Sequence, residues 1–164
     1  MRALFGWQAW LFAFYLLSST AFAGEFGMAA KVSLTGLPNE PRLLINLKNE
    51  GPQAISFYKW RLPWVESHSL LVAAVREDGV SLKKALMFDD GDKEVVSLGP
   101  GKSVEGTVPL SLYFPDLDRD LKQTGVIIFW TYQMVLKDGS KLERSGGWLS
   151  IPRSPQPLPR SSDP

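Results

Sequence analysis

The first candidate for chemistry is the segment 99–103, Gly-Pro-Gly-Lys-Ser, which ends like a phosphate-binding loop. The full motif needs another glycine five residues before Gly101, and that position holds Val96. It also needs a helix whose N-terminal N–H groups contact the phosphate, whereas alternating apolar residues follow here. The segment therefore predicts a turn between strands and no nucleotide site.

Histidine and cysteine chemistry is limited by composition, because His68 is the only histidine and the chain has no cysteine. A zinc site of the His-Glu-x-x-His kind and a cysteine-bound structural zinc are both impossible. A serine nucleophile would need His68 as its base, but His68 lies in the polar segment 66–69 and no Gly-x-Ser-x-Gly elbow occurs. We therefore predict no catalytic residue and a protein that is not an enzyme.

Carboxylates gather in the segment 89–94 and are the remaining candidates for a metal site. Asp89, Asp90 and Asp92 are calcium candidates, since hard cations favour several oxygens on a flexible loop. Their spacing does not match the helix-loop-helix pattern, and a solvated acidic turn is the ordinary explanation. We predict no metal and no other cofactor. A hydrolase with a carboxylate-only site stays open, because its two acids can come from different strands.

The segment 58–64 carries the candidate binding residues. Pro63 ends any strand there, so Tyr58, Trp60, Arg61 and Trp64 are expected at or near the edge of a sheet. These residue types are enriched where proteins bind partners. The alternative is packing, because a tryptophan early in a strand commonly fills the core of a sandwich, and Trp64 can cover the open end of that core.

The apolar residues that would position this segment recur with a period of two, which predicts strands. Leu43, Ile45 and Leu47 share one side of a strand, and Ile55 and Phe57 share one side of the next. Turn-forming residues separate such runs along the chain. The pattern predicts an all-β, immunoglobulin-like two-sheet sandwich of about seven or eight strands, with a small β-barrel as the alternative.

Four other segments carry their own expectations. Residues 69–76, apolar on both faces, predict a central strand that enters a hairpin. The alternation over 103–112 places Leu112 inward. Residues 115–123, rich in aspartate, predict a short exposed turn. Residues 126–151 form the strongest hairpin, and Trp130, Tyr132 and Trp148 within it either form an aromatic face or are buried by packing.

The N-terminus predicts export. Arg2 is followed by an almost wholly apolar stretch over 3–17, and 21–23 reads Ala-Phe-Ala, with small residues where a signal peptidase requires them. Gly24 would then begin the mature chain. An uncleaved N-terminal anchor is the alternative and the one case in which we expect contact with a membrane. Both interpretations place the domain in the periplasm or the medium.

Three parts of the chain follow from these patterns. They are a signal peptide at 1–23, a β-sandwich domain at 24–151 and a disordered proline-rich tail at 152–164. A mature chain of roughly 140 residues can bury about two-thirds of its surface, so one domain is stable without disulfides.

Charge excludes one class of partner. The 18 basic residues stand against 17 acidic ones, and removal of Arg2 with the signal peptide leaves 17 against 17. Since phosphate binding needs clustered Lys and Arg, a neutral chain with scattered charges predicts no nucleic-acid partner.

The order of the predicted elements resembles a known family. Residues 43–60 are a strand, an Asn-Glu-Gly-Pro turn and a strand ending in tryptophan; Leu-Gly-Pro-Gly-Lys-Ser-Val-Glu-Gly follows at 98–106, and Gly125 opens an aromatic strand. This order resembles the N-terminal β-sandwich accessory domain of secreted deuterolysin-type, peptidyl-Lys metalloendopeptidases, over residues 28–137. The catalytic zinc motif is absent, so no catalytic residue is carried over. The resemblance implies an accessory domain alone, with a peptidase-associated or inhibitory role.

We therefore expect an exported, non-catalytic β-sandwich that binds another exported protein. The alternative from another class is a domain that binds carbohydrate or envelope glycan through Trp60, Trp64 or Trp148 as stacking platforms.

Overall fold

A computed structural model of the protein describes residues 27–37, 40–65, 69–85 and 93–154. Several predictions lie outside the described residues: the signal peptide, His68, the calcium candidates Asp89, Asp90 and Asp92, and the tail beyond Ser154.

Within the described residues the chain forms eight strands and two short helices. In chain order these are β1 (Met28–Leu37), β2 (Glu40–Asn49), β3 (Ile55–Tyr58), β4 (Leu70–Arg76), β5 (Val95–Leu98), β6 (Ser103–Pro109), α1 (Leu110–Tyr113), α2 (Leu117–Leu121), β7 (Val126–Tyr132) and β8 (Ser145–Ile151).

The strands pair antiparallel in three sheets, with the orders β1-β2-β6, β3-β5 and β4-β7-β8. No ladder closes on itself among the described residues, so the alternative of a small barrel is not adopted. The prediction of an all-β sandwich with seven or eight strands is confirmed.

The residues that the period-two pattern predicts on one side of β2 and β3 form part of the core. Leu43, Ile45 and Leu47 on β2 are fully buried, and so are Ile55 and Phe57 on β3. They belong to one hydrophobic cluster that also takes in the inward residues of β4, β7 and β8. Full burial of each such side chain stabilises the fold by about 1.5–3 kcal/mol.

The prediction that residues 69–76 form a central strand is wrong in one respect. The strand exists as β4, but it lies at an edge of its sheet, because β7 occupies the middle. Leu71 on its outer side is accordingly 51% exposed. The hairpin that follows is confirmed, since the Arg76 N–H donates to the Val80 carbonyl at 2.8 Å.

The prediction that Leu112 faces inward is also wrong, since its side chain is 52% exposed. Strand β6 ends at Pro109, and α1 begins at the next residue. A helical turn changes the side-chain period from two to 3.6. Leu110 and Tyr113, three residues apart, therefore face the core together.

The expectation of an exposed turn over 115–123 fails for a similar reason. Helix α2 buries Leu117 and Leu121, which lie four residues apart on one helical face. Asp120 is also buried, and an Arg76 guanidinium nitrogen lies 3.6 Å from its carboxylate. The many polar residues of this segment predict exposure, although its two leucines belong to the core.

The segment 99–102 is the predicted turn, and buried Asn49 at the end of β2 holds it. The Asn49 side-chain amide donates to the carbonyls of Leu98 at 2.9 Å and Gln53 at 2.7 Å. The Gly101 N–H donates to the Asn49 backbone carbonyl at 2.8 Å. One residue thus joins the ends of β2, β5 and β6.

The predicted hairpin over 126–151 is confirmed by the β7–β8 ladder. Strand β7 stops at Tyr132, and an isolated bridge between Val135 and Lys141 continues the hairpin toward its turn. Gly139 in the turn has a φ of +87°, a conformation that favours glycine. The side chain and backbone N–H of Ser140 donate to Asp138, which lowers the pKa of that carboxyl.

Candidate functional site

The structure brings three of the four predicted binding residues together at the end of β3. Strand β3 ends at Tyr58, and a single 3-10 turn spans Lys59–Arg61. The Tyr58 and Trp60 rings are nearly parallel, at 13°, with centroids 6.4 Å apart. The Arg61 guanidinium carbon lies 3.6 Å from the centroid of Trp60, within the range of a cation–π contact.

Neighbouring strands fix this turn in place. The Tyr132 hydroxyl on β7 donates to the Arg61 backbone carbonyl at 3.2 Å. The Lys59 ammonium lies 2.6 Å from a Glu94 carboxylate oxygen, beside the start of β5. Burial raises the pKa of Tyr132, and the positive charge of Arg61 opposes this only in part. Tyr132 therefore keeps its proton and its donor role at neutral pH.

Trp64 does not join this group. Its indole lies over Gly106 of β6, so closely that a Cβ at Gly106 would overlap the ring atoms. Gly106 points inward on its strand, and Trp64 packs against the hydrophobic core. The packing alternative describes Trp64, and the binding prediction keeps Tyr58, Trp60 and Arg61.

A second surface, of which the sequence singled out only Trp148, lies on the outer side of the sheet formed by β4, β7 and β8. Ala73, Phe129 and Trp148 are aligned by strand pairing across the three strands. Phe129 is 46% exposed and Trp148 65% exposed, and Leu71 beside this row is 51% exposed. We call Leu71, Ala73, Phe129 and Trp148 the outer patch. Contiguous exposed apolar side chains of this kind mark interaction sites.

The aromatic residues of the hairpin divide between the two faces of this sheet. Tyr132 is 3% exposed on the inner side, and Trp130 packs against the core from the same side. Trp148 and Phe129 face outward. The signal for the outer patch was present in the strand 126–132, which is apolar on both faces although only one face meets the core.

A cleft of about 370 Å³ adjoins the outer patch. Three cations line it, Arg61 from the 3-10 turn and Lys141 and Arg144 from the hairpin arm that leads to β8. No acidic residue lines it among the described residues. Its remaining lining residues are Ser69, Leu71, Thr131, Gln133 and Val135. We call it the basic cleft.

A separate cleft of about 340 Å³ contains two carboxylates, Asp116 and Asp120, the minimum that a carboxylate-only hydrolase needs. Each has an arginine beside it, because an Arg119 nitrogen lies 3.2 Å from Asp116 and an Arg76 nitrogen 3.6 Å from Asp120. Among the residues that the structure describes, no three His, Cys, Asp or Glu side chains are grouped to hold a metal ion. The hydrolase alternative stays a prediction.

In the described part of the chain, no helix is long and apolar enough to span a membrane. No family model and no curated protein matches the chain.

Solved structures that are similar to it include two proteins. One is the Northeast Structural Genomics Consortium target SoR45, with 13% identity, a TM-score of 0.43, and coverage of 78% of this chain and 86% of that one. The other is a Bordetella pertussis protein described as ApaA, with 14% identity, a TM-score of 0.42, and coverage of 79% and 97%. Similarities of this size carry no information about what the chain binds.

Proposed function

We propose that this protein is a non-catalytic binding module that docks a partner protein on its outer patch. One observation carries the proposal: Leu71, Phe129 and Trp148 expose large apolar side chains on one face of one sheet. Leu71 also lines a cleft with Arg61 of the 3-10 turn. Aromatic residues and arginine are the types that dominate binding energy at protein interfaces. A rigid sheet presents them with little loss of conformational entropy on binding.

The N-terminal sequence supports a second part of the proposal, namely export. Mass spectrometry of the protein recovered from the cell envelope and the medium tests it. A mature chain that begins at Gly24 is expected. A chain that retains Met1 in the cytoplasmic fraction would contradict export, and one that retains it in the membrane fraction would support the uncleaved anchor.

Affinity capture from envelope and medium tests the binding surface. The full-length chain serves as bait beside the variant Phe129→Ser/Trp148→Ser, and both must give the same circular dichroism spectrum. The matched control is Leu112→Ser, which removes a leucine of similar exposure, 52%, on α1. We expect the wild type and the control to recover one protein and the double variant to lose it. Equal recovery by all three would exclude the outer patch.

The nature of the recovered partner decides two narrower proposals. A secreted peptidase would support the accessory role that the resemblance implies. Glycan retained without protein would instead support carbohydrate binding, for which the exposed ring of Trp148 is the relevant observation. The apolar surroundings of that ring, Ala73 and Phe129 in register with it, favour a protein.

A further inference from the structure

Among the described residues, the cations of the basic cleft have no matching anions. Arg61, Lys141 and Arg144 line one depression, and none of them has a salt bridge to any residue that the structure describes. Other cations of the chain do, for example Lys122 with Asp118 at 2.5 Å and Arg42 with Glu40 at 2.9 Å. Three like charges around one cleft repel one another and attract an anion.

Two of these cations are held in position by other side chains. The Arg61 guanidinium rests on Trp60, and its backbone carbonyl accepts the hydrogen bond from Tyr132. An Arg144 nitrogen donates to the Gln133 side-chain oxygen at 3.2 Å, while the Gln133 amide donates to the Leu142 carbonyl at 3.1 Å. Arginines fixed in this way lose less side-chain entropy when they bind a carboxylate.

The basic cleft is continuous with the outer patch. Leu71 belongs to both, and its cross-strand partner Thr131 lines the cleft. On the outer side of β7, Phe129 of the patch is followed two residues later by Thr131 of the cleft. Gln133 of the cleft comes two residues after that, just beyond the end of the strand. A ligand that covers both surfaces must therefore carry an apolar group and an anionic group a short distance apart.

We infer that the basic cleft binds the carboxylate of an acidic peptide segment whose neighbouring apolar side chain lies on the outer patch. The inference rests on the proposed function and specifies the chemistry of its partner. An extended peptide advances about 3.3 Å per residue, so an apolar residue and a Glu or Asp two to four positions apart match the spacing along β7. A phosphate-bearing polymer would satisfy the cations but would leave the apolar patch unused.

A displayed library of random dodecapeptides, selected on the full-length chain, tests this inference. We expect the selected peptides to be enriched in Glu or Asp two to four positions from Leu, Phe or Trp. Replacement of the acid by Gln or Asn in a selected peptide is expected to weaken binding about tenfold, as loss of a charged hydrogen bond does. Selected peptides without acidic residues would overturn the inference.

Variants of the protein separate the two proposals. Lys141→Gln/Arg144→Gln is expected to lower the affinity for a selected peptide about tenfold and to reduce the salt dependence of its binding. The matched control, Lys31→Gln/Lys102→Gln, removes two exposed cations that do not line the cleft and should leave binding unchanged. Peptides lost in Phe129→Ser/Trp148→Ser but unaffected by the cleft variant would refute the carboxylate site and leave the docking surface intact. Selected peptides that none of these variants affects would refute both proposals.

A titration with small anions tests whether the anionic group that the basic cleft binds is a carboxylate or a phosphate. Sodium phosphate and N-acetylglutamate are added separately to 15N-labelled protein, and the Nε–H resonances of Arg61 and Arg144 are followed. We expect N-acetylglutamate to shift both at lower concentration than phosphate. The reverse order would overturn the peptide assignment in favour of a phosphate-bearing ligand.

Discussion

Trp64 and Trp148 have opposite surroundings. Trp64 covers Gly106 of β6 and packs on the core, whereas Trp148 is 65% exposed on the outer side of β8. In the sequence both are tryptophans near turn-forming residues, and both are candidates for stacking on a glycan. The residue that faces each ring makes the difference, because Gly106 leaves on the inner face the space that an indole fills. The role of a tryptophan here is set by the strand opposite it.

The largest effect should come from closing the space beneath Trp64. Gly106→Ala places a methyl group inside the indole and forces the ring away from the core, with an expected loss of about 3 kcal/mol in the free energy of unfolding. Urea denaturation measures it. In a Trp64→Ala background the same methyl group should cost less than about 1 kcal/mol. Equal losses in both backgrounds would mean that Gly106 matters for some reason other than this contact.

The surroundings of a polar side chain should likewise decide how much it contributes to the free energy of unfolding. Asn49→Ala removes three hydrogen bonds, two donated by the side-chain amide and one that its oxygen accepts from the Gly51 N–H at 3.0 Å. Unfolding free energy should fall by about 2 kcal/mol, since three hydrogen bonds are lost and one of them is to the buried Leu98 carbonyl. Asn46→Ala is the matched control, because its only side-chain hydrogen bond within the described part of the chain, to Glu105 at 3.3 Å, lies on the solvent side. Similar losses in the two variants would contradict the role given to burial.

Tyr132→Phe should lower the free energy of unfolding by a smaller amount, about 1 kcal/mol. It removes the hydrogen bond to the Arg61 carbonyl and leaves the ring in place. Burial raises the folded-state pKa of Tyr132. The stability that this residue contributes is therefore complete below the unfolded-state pKa of about 10 and is lost as the pH rises from there through the folded-state pKa. Stability measured from pH 7 to 11 should fall less steeply in the variant. Tyr58→Phe is the control, and an identical alkaline decline in the wild type and Tyr132→Phe would refute the assignment.

Alternation gave correct expectations wherever one face of a strand meets the core. Leu43, Ile45 and Leu47 show this most clearly, because a period of two has one buried solution in a sandwich. It failed at Leu112, where Pro109 ends the strand and the period changes. It also missed α2, whose two buried leucines are surrounded by charged residues.

The candidate site was predictable only in part, for a related reason. Tyr58, Trp60 and Arg61 are close in sequence, so their proximity follows from one short segment. Assembly of the basic cleft depends on the register of β7 with β4 and with the hairpin arm, which joins Leu71, Thr131 and Arg144 from distant positions. Strand pairing across that distance is not encoded in local spacing. The sequence singles out Trp148 but not the rest of the outer patch, because an apolar residue on the solvent side has the same sequence pattern as a buried one.

The smallest effect on stability and the largest on binding should coincide at Trp148. Trp148→Ala removes a ring that is mostly in solvent, so the free energy of unfolding should change by less than about 0.5 kcal/mol. If the outer patch is the docking surface, the same change should lower the affinity for the captured partner at least thirtyfold, as loss of an aromatic hot spot worth about 2 kcal/mol does. Trp64→Ala should do the reverse, with a loss of about 3 kcal/mol in stability and unchanged affinity in the fraction that stays folded. A Trp148→Ala protein that unfolds easily, or that keeps its partner, would remove the distinction between the two tryptophans, because a ring at the surface would then serve packing alone.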